Sequence, residues 1–174
     1  MKNTEEKRIY NIASGFLIDH QISTIPVWTE DLCKRLGIEL IKLSDIVQNT
    51  GFTKNQIFSF WGNEDGALHS YGDVFRIAYN DEKPIKRQRF TIMEEISHKL
   101  LRHYLDSRFN IFSQDYDEVT YRRYEEEARM CAGIIICPPQ YFYECKEVMS
   151  KGLFKTVYNV SEPCATTTRI DVFS

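Results

Sequence analysis

Hydrophobic positions recur at helical spacing from the start of the chain, with Ile9, Ile12, Ala13, Phe16 and Leu17 on one face of an amphipathic helix over 4–20. A second, short helix is expected from Pro26 through VWTEDLCKRL to Gly37, a residue type that ends helices, and IELIKL beyond it reads as a strand. Residues 44–65 give little pattern beyond a helix around TKNQIFSF. The runs ALHSY and VFRIAY flank Gly72 and Asp73 as the arms of a hairpin. Asn80, Asp81 and Pro84 interrupt that alternation. A long helix from near Lys86 to Leu105 follows, then a loop over 106–119, then a helix from about Thr120 that must end at Pro138 and Pro139. The rest reads as short helices with a turn near Asn159. The pattern predicts an α+β domain over 1–138 and a helical extension over 139–174 packed on it.

Both long helices carry acid where their pattern asks for an apolar residue. On a wheel with Phe90 at zero, Ile96, Leu100, Met93, Ser97, Leu101 and Leu105 share one arc, and Glu94 falls inside it at about 40°. His98 sits at the edge of the arc, one turn on, whereas Glu95, Lys99, Arg102 and His103 lie outside it. On the second helix, with Tyr121 at zero, Glu125 falls at about 40° among Ala128, Ala132, Cys131 and Ile136, while Glu126 and Glu127 point away. A carboxylate on an apolar face must be neutralised, paired or bound to a cation, because leaving it bare costs several kcal/mol. Glu94, His98 and Glu125 therefore form a candidate cation site of two oxygens and a nitrogen, with Glu95 placed to act on a bound water. A buried Glu–His pair with Glu125 bridged to an arginine satisfies the same pattern.

Composition narrows the function classes. Twenty-two Lys and Arg against 25 Asp and Glu leave a net charge of −3, so no overall basic field favours a nucleic acid. The five cysteines, Cys33, Cys131, Cys137, Cys145 and Cys164, are widely spaced without a C-x-x-C pair, as expected of reduced thiols in a cytoplasmic protein. The polar N-terminus does not read as a secretory signal, and no stretch approaches the apolar length of a membrane span.

The segments RFTIMEEISHKLL and YEEEARMCAGIIICPP resemble the two signatures of the ImmA/IrrE family of bacterial and phage metallo-endopeptidases. The first signature reads R-F-T-[IL]-A-H-E-[LI]-[GS]-H-x-L-L and the second E-x-[EQ]-A-N-x-F-A-x-x-L-L-x-P. Upstream, the I-P-V segment at 25–27, L-C-K-R-L-G-I and a strand ending I-A-Y-N fit as well, so the resemblance spans about 5 to 139. It implies a zincin-like metallopeptidase fold with a short helix-turn-helix-like C-terminal segment. It also implies a divalent metal, most simply Zn²⁺, and a protein substrate, a helix-turn-helix transcriptional repressor of a phage or mobile element. By position, His98 is the second histidine of H-E-x-x-H, Glu125 the third ligand and Glu95 the general base. Glu94 stands where the first histidine belongs. One nitrogen and two carboxylates make a harder, more negative set, more tolerant of Mn²⁺ or Fe²⁺, and weaker at acidifying a bound water. The leading expectation is an altered metal-dependent endopeptidase that cleaves the repressor; the alternative is a degenerate one that binds and regulates the repressor without cutting it.

Other residues carry plainer expectations. His103 follows Arg102 on the solvent side of its helix, His69 sits on the hairpin as an ordinary strand position with approach to a metal as the alternative, and His20 lies at a helix end. Lys83, Lys86, Arg87 and Arg89 form a basic cluster expected to be a solvated face. The tail around Lys155 and Arg169 has too few cations to read DNA, and it is expected to pack or to recognise a partner.

Overall fold

The apolar stripe Ile9, Ala13, Phe16 and Leu17 is buried along one face of helix α1, Thr4–Asp19, in a computed structural model that describes residues 4–138 and 151–164. Helix α2, Thr29–Leu36, ends where Gly37 takes the left-handed conformation, and strand β1, Glu39–Lys42, follows. Helices α3, Leu43–Thr50, and α4, Lys54–Trp61, fill the stretch whose pattern is weak. Helix α4 opens on a capping box in which Thr53 and Gln56 satisfy each other's backbone N–H groups. The hairpin comprises β2, Gly66–Tyr71, and β3, Val74–Tyr79, with Gly72 at φ 58° in the two-residue turn, a conformation that favours glycine.

The sheet order is β1-β3-β2, with β1 parallel to β3 and β2 antiparallel to it, so β2 is an edge strand. Gly66 permits a close approach at its start: a Cβ there would stand 2.6 Å from the Ala78 carbonyl oxygen and 2.9 Å from Thr91 Cγ2. The sheet therefore lies tight against helix α5, Ile85–Leu100. Helix α6, Glu118–Ile136, is capped by Asp117 and packs on both α5 and α1. The main core gathers Ile9, Phe16, Ile77, Ile92, Met93, Ile96, Cys131 and Ile135, and a smaller cluster of Leu43, Ile57, Trp61 and Ala78 lies under α3 and α4. Helix α7, Lys151–Tyr158, contributes Phe154 and Tyr158 to the main core, joined by Val160. Each large aliphatic side chain so buried contributes about 1.5–3 kcal/mol. Arg169 and the end of the tail lie outside the described residues, as does Cys145.

Four expectations need correction. Helix α5 stops at Leu100 rather than Leu105, because Arg102 adopts φ 60° and the chain turns into a short 3₁₀ segment, His103–Leu105. That reversal swings His103 inward, so it is buried and not on the solvent side. Glu127 is buried too, since α6 lies between two helices and has two covered faces where a single-arc wheel allows one. The basic cluster is not simply a solvated face. Arg89 is buried and donates to the backbone carbonyls of Val27 (2.7 Å), Tyr158 (2.8 Å) and Asn159 (2.6 Å), fastening the entry of α2 and the end of α7 to α5.

Candidate functional site

Two packed helices bring the central pair together. His98 comes from the last turn of α5 and Glu125 from the second turn of α6, and His98 Nε2 lies 3.4 Å from Glu125 Oε1. The His98 ring stacks on Phe109 at 4.8 Å, and its Nδ1 lies 3.0 Å from His103 Nδ1. His103 Nε2 in turn lies 3.2 Å from Glu127 Oε2, which also receives Arg8 from α1 at 2.7 Å. Protons can be assigned along this chain from what each partner accepts. The Glu127 carboxylate accepts, so His103 donates from Nε2. The remaining His103 nitrogen must then accept, so His98 donates from Nδ1. His98 Nε2 is thereby the atom presented to Glu125 and to the cavity beside it.

The charge states follow from burial and neighbours. Burial opposes charge on His98, but its bond to Glu125 and the carboxylates of Glu95, Glu125 and Glu94 outweigh it and raise its pKa. Burial alone would raise Glu125; the bond to His98, with His98 and Arg129 nearby, brings it below the ordinary value. His103 is pushed down to about 3, chiefly by burial and then by repulsion from His98, Arg8 and Arg123, so it is neutral.

A cavity of about 380 Å³ opens beside this pair, bordered by Glu95, His98, Tyr121 and Glu125 on one side and by Gly66–Ser70 of β2 on the other. Phe60, Phe109 and Phe112 line its apolar part, and His69 lines it too rather than holding an ordinary strand position. In the hairpin register Tyr71 pairs with Val74 across the turn, so alternate residues Gly66, Leu68 and Ser70 direct their backbone groups away from β3. The Leu68 backbone accordingly hydrogen-bonds Glu95. Burial pushes Glu95 up to about 7, against the pull of His98, so this carboxyl is poised to exchange a proton near neutrality.

Glu94 is buried, as the wheel predicts, but its carboxylate meets arginines. Glu94 Oε1 lies 3.2 Å from Arg129 Nε, and Glu94 Oε2 lies 3.9 Å from Arg87 Nη2. Burial pushes its pKa up to about 7, opposed by those two guanidinium groups. Arg129 also reaches Glu125, with Nη2 3.4 Å from Oε2. The structure thus joins His98 to Glu125 and sets Glu95 at the cavity, while Glu94 is tied to the arginine side. Among the described residues no three His, Cys, Asp or Glu side chains stand together as a metal-holding group.

The α+β fold agrees with a comparison against protein-family models, in which the IrrE N-terminal-like domain model of the peptidase M78 family matches residues 33–166. The chain belongs to this family. A comparison with curated proteins found no match. Membership makes the protein protease-like, and it implies a divalent metal and a protein substrate. No helix among the described residues is long and apolar enough to cross a membrane.

The donor set does not fit that metal as it stands. Both Glu94 oxygens face guanidinium nitrogens, and Glu125 divides its oxygens between His98 and Arg129. Of the three positions that the signatures assign to a metal, only His98 and Glu125 border the cavity, whereas closed or open zinc centres take at least three protein ligands. Two residues that organise this arrangement escape the wheels. His103 escapes because the left-handed Arg102 breaks the helix before it. Arg129 escapes because an exposed arginine on a helix looks ordinary; the signal was its place at the asparagine of the second signature.

Proposed function

We propose that this protein takes an extended segment of a protein partner along the outer edge of β2 into the cavity, and that the partner is a helix-turn-helix repressor of a phage or mobile element. The observation that carries the reading is the juxtaposition of an edge strand, whose Ser70 backbone groups and Leu68 carbonyl face outward while the Leu68 N–H is taken by Glu95, and a cavity holding His98, Glu95 and Glu125. An edge strand binds an extended chain through its unpaired main-chain groups and sorts it by pockets for alternate side chains. Phe60 and Phe112, both exposed, supply apolar contact at the rim. The setting is cytoplasmic, with no direct nucleic-acid or membrane contact.

In this reading the protein regulates its partner by holding it, as a peptidase that has lost its cutting function. What supports the non-cleaving form is the arginine pairing of Glu94. A cleaving form is favoured by one observation, the place of Glu95 at the cavity wall beside His98 and Glu125. It would require Glu94, His98 and Glu125 to close on Zn²⁺, Mn²⁺ or Fe²⁺, with Glu95 as the general base.

Fluorescence anisotropy with labelled segments of a candidate repressor tests the binding mode. Ser70→Pro removes an outward N–H at an edge position where proline is tolerated, and it is expected to weaken binding about tenfold while leaving the fold intact. Unchanged affinity would remove the edge strand from the account.

A further inference from the structure

Every oxygen of the two carboxylates that the family resemblance assigns to a metal already faces a protein cation or imidazole. Arg129 Nε lies 3.2 Å from Glu94 Oε1 and Arg129 Nη2 3.4 Å from Glu125 Oε2, so one guanidinium bridges α5 and α6. The outer oxygen of Glu94 lies 3.9 Å from Arg87, and the inner oxygen of Glu125 3.4 Å from His98. We propose that Arg129 is the resident cation of this centre, occupying the electrostatic place of the divalent metal, and that Glu94 and Arg129 are two halves of one change that makes the site metal-excluding.

Buried carboxylates from two helices repel each other and must be neutralised, and a divalent ion or a guanidinium does this equally well in kind. Both cannot do it together, since a metal seated on these oxygens would set like charges against each other at contact distance. Arg129 stands one turn beyond Glu125 on the same helix, the spacing at which an acid and a following base meet. Its planar fork can span two carboxylates on different helices, which a lysine's point charge does less well. A histidine at position 94 would give no second carboxylate to bridge. An asparagine at 129, as in the family's second signature, would bring no charge. Each replacement alone leaves the other unmatched.

The inference deepens the non-cleaving reading but is measured without any partner, so either can fail alone. Wild type, Arg129→Asn, Glu94→His and the double variant are purified without chelator, equilibrated with Zn²⁺, and titrated against a zinc indicator, with metal content read by elemental analysis. Wild type is expected to retain no stoichiometric zinc. The double variant is expected to bind one ion per chain roughly 100-fold tighter than wild type, with each single variant between them. Co²⁺ in the double variant should give the visible absorption of a tetrahedral site. Arg129→Gln serves as a second neutral variant, and circular dichroism checks folding in each. One tightly held zinc in wild type, or no gain of affinity in the folded double variant, would overturn the proposal.

Discussion

Replacing His103 by alanine removes a side chain that a wheel over 86–105 would leave in water and that the structure buries. The ring bonds His98 Nδ1 at 3.0 Å and Glu127 Oε2 at 3.2 Å, and it stacks on Tyr124 with centroids 4.1 Å apart and planes 1° from parallel. Two hydrogen bonds at about 1 kcal/mol each, a ring contact of about 0.5–1.5 kcal/mol and a partly refilled cavity sum to about 3–4 kcal/mol. Arg8 and Arg123 remain on Glu127, at 2.7 and 3.6 Å, which keeps the loss from growing further. For a chain of this length the expected drop in Tm is about 10 °C. The loss should depend on pH. Folded His103 stays neutral down to about 3, whereas the unfolded chain takes up its proton below about 6.5, so the unfolded state binds more protons between those values. The stability His103 contributes is therefore present above pH 6.5 and falls away on acidification toward 3. Urea denaturation across pH 4–8 should show the gap between wild type and variant widest at the upper end. A change within about 0.5 kcal/mol at neutral pH, as for a solvent-facing residue, would refute the buried relay.

Two further outcomes follow from the same geometry. Glu95→Gln should stabilise the protein at pH 8 by on the order of 2 kcal/mol and change little near pH 4. The folded carboxyl holds its proton to about 7 and the unfolded one only to about 4.5, so wild-type stability declines as pH rises between them, and glutamine is exempt from that decline; a Tm series across this range checks it. Arg89→Ala should cost about 3 kcal/mol, because the carbonyls of Val27, Tyr158 and Asn159 lose their donor in a buried setting, and limited proteolysis should then cut more readily around α7.

Local pattern carried much of this structure. The α1 stripe, the hairpin around Gly72 and the stop at Gly37 each depend on near neighbours in sequence, and they stand where periodicity and turn chemistry place them. Glu94 and Glu125 were legible as inward-facing acids for the same reason. What neutralises them was not, since pairing across helices depends on how α5 and α6 pack. Glu127 was misplaced because α1 covers a second face of α6. Arg89 read as surface charge because nothing local shows that three distant carbonyls converge on it. The peptidase signature singled out Glu94, His98 and Glu125, but not that Arg129 would contact both carboxylates, because that depends on how α5 and α6 pack.

The proposed role requires the cavity to receive a protein segment without cutting it. Purified protein incubated with a helix-turn-helix repressor it binds, with and without added Zn²⁺ or Mn²⁺, and followed by intact-mass spectrometry, tests this most directly. The expected result is a complex containing full-length repressor under every condition. Metal-stimulated appearance of two fragments from one scission, abolished by Glu95→Gln, would contradict it.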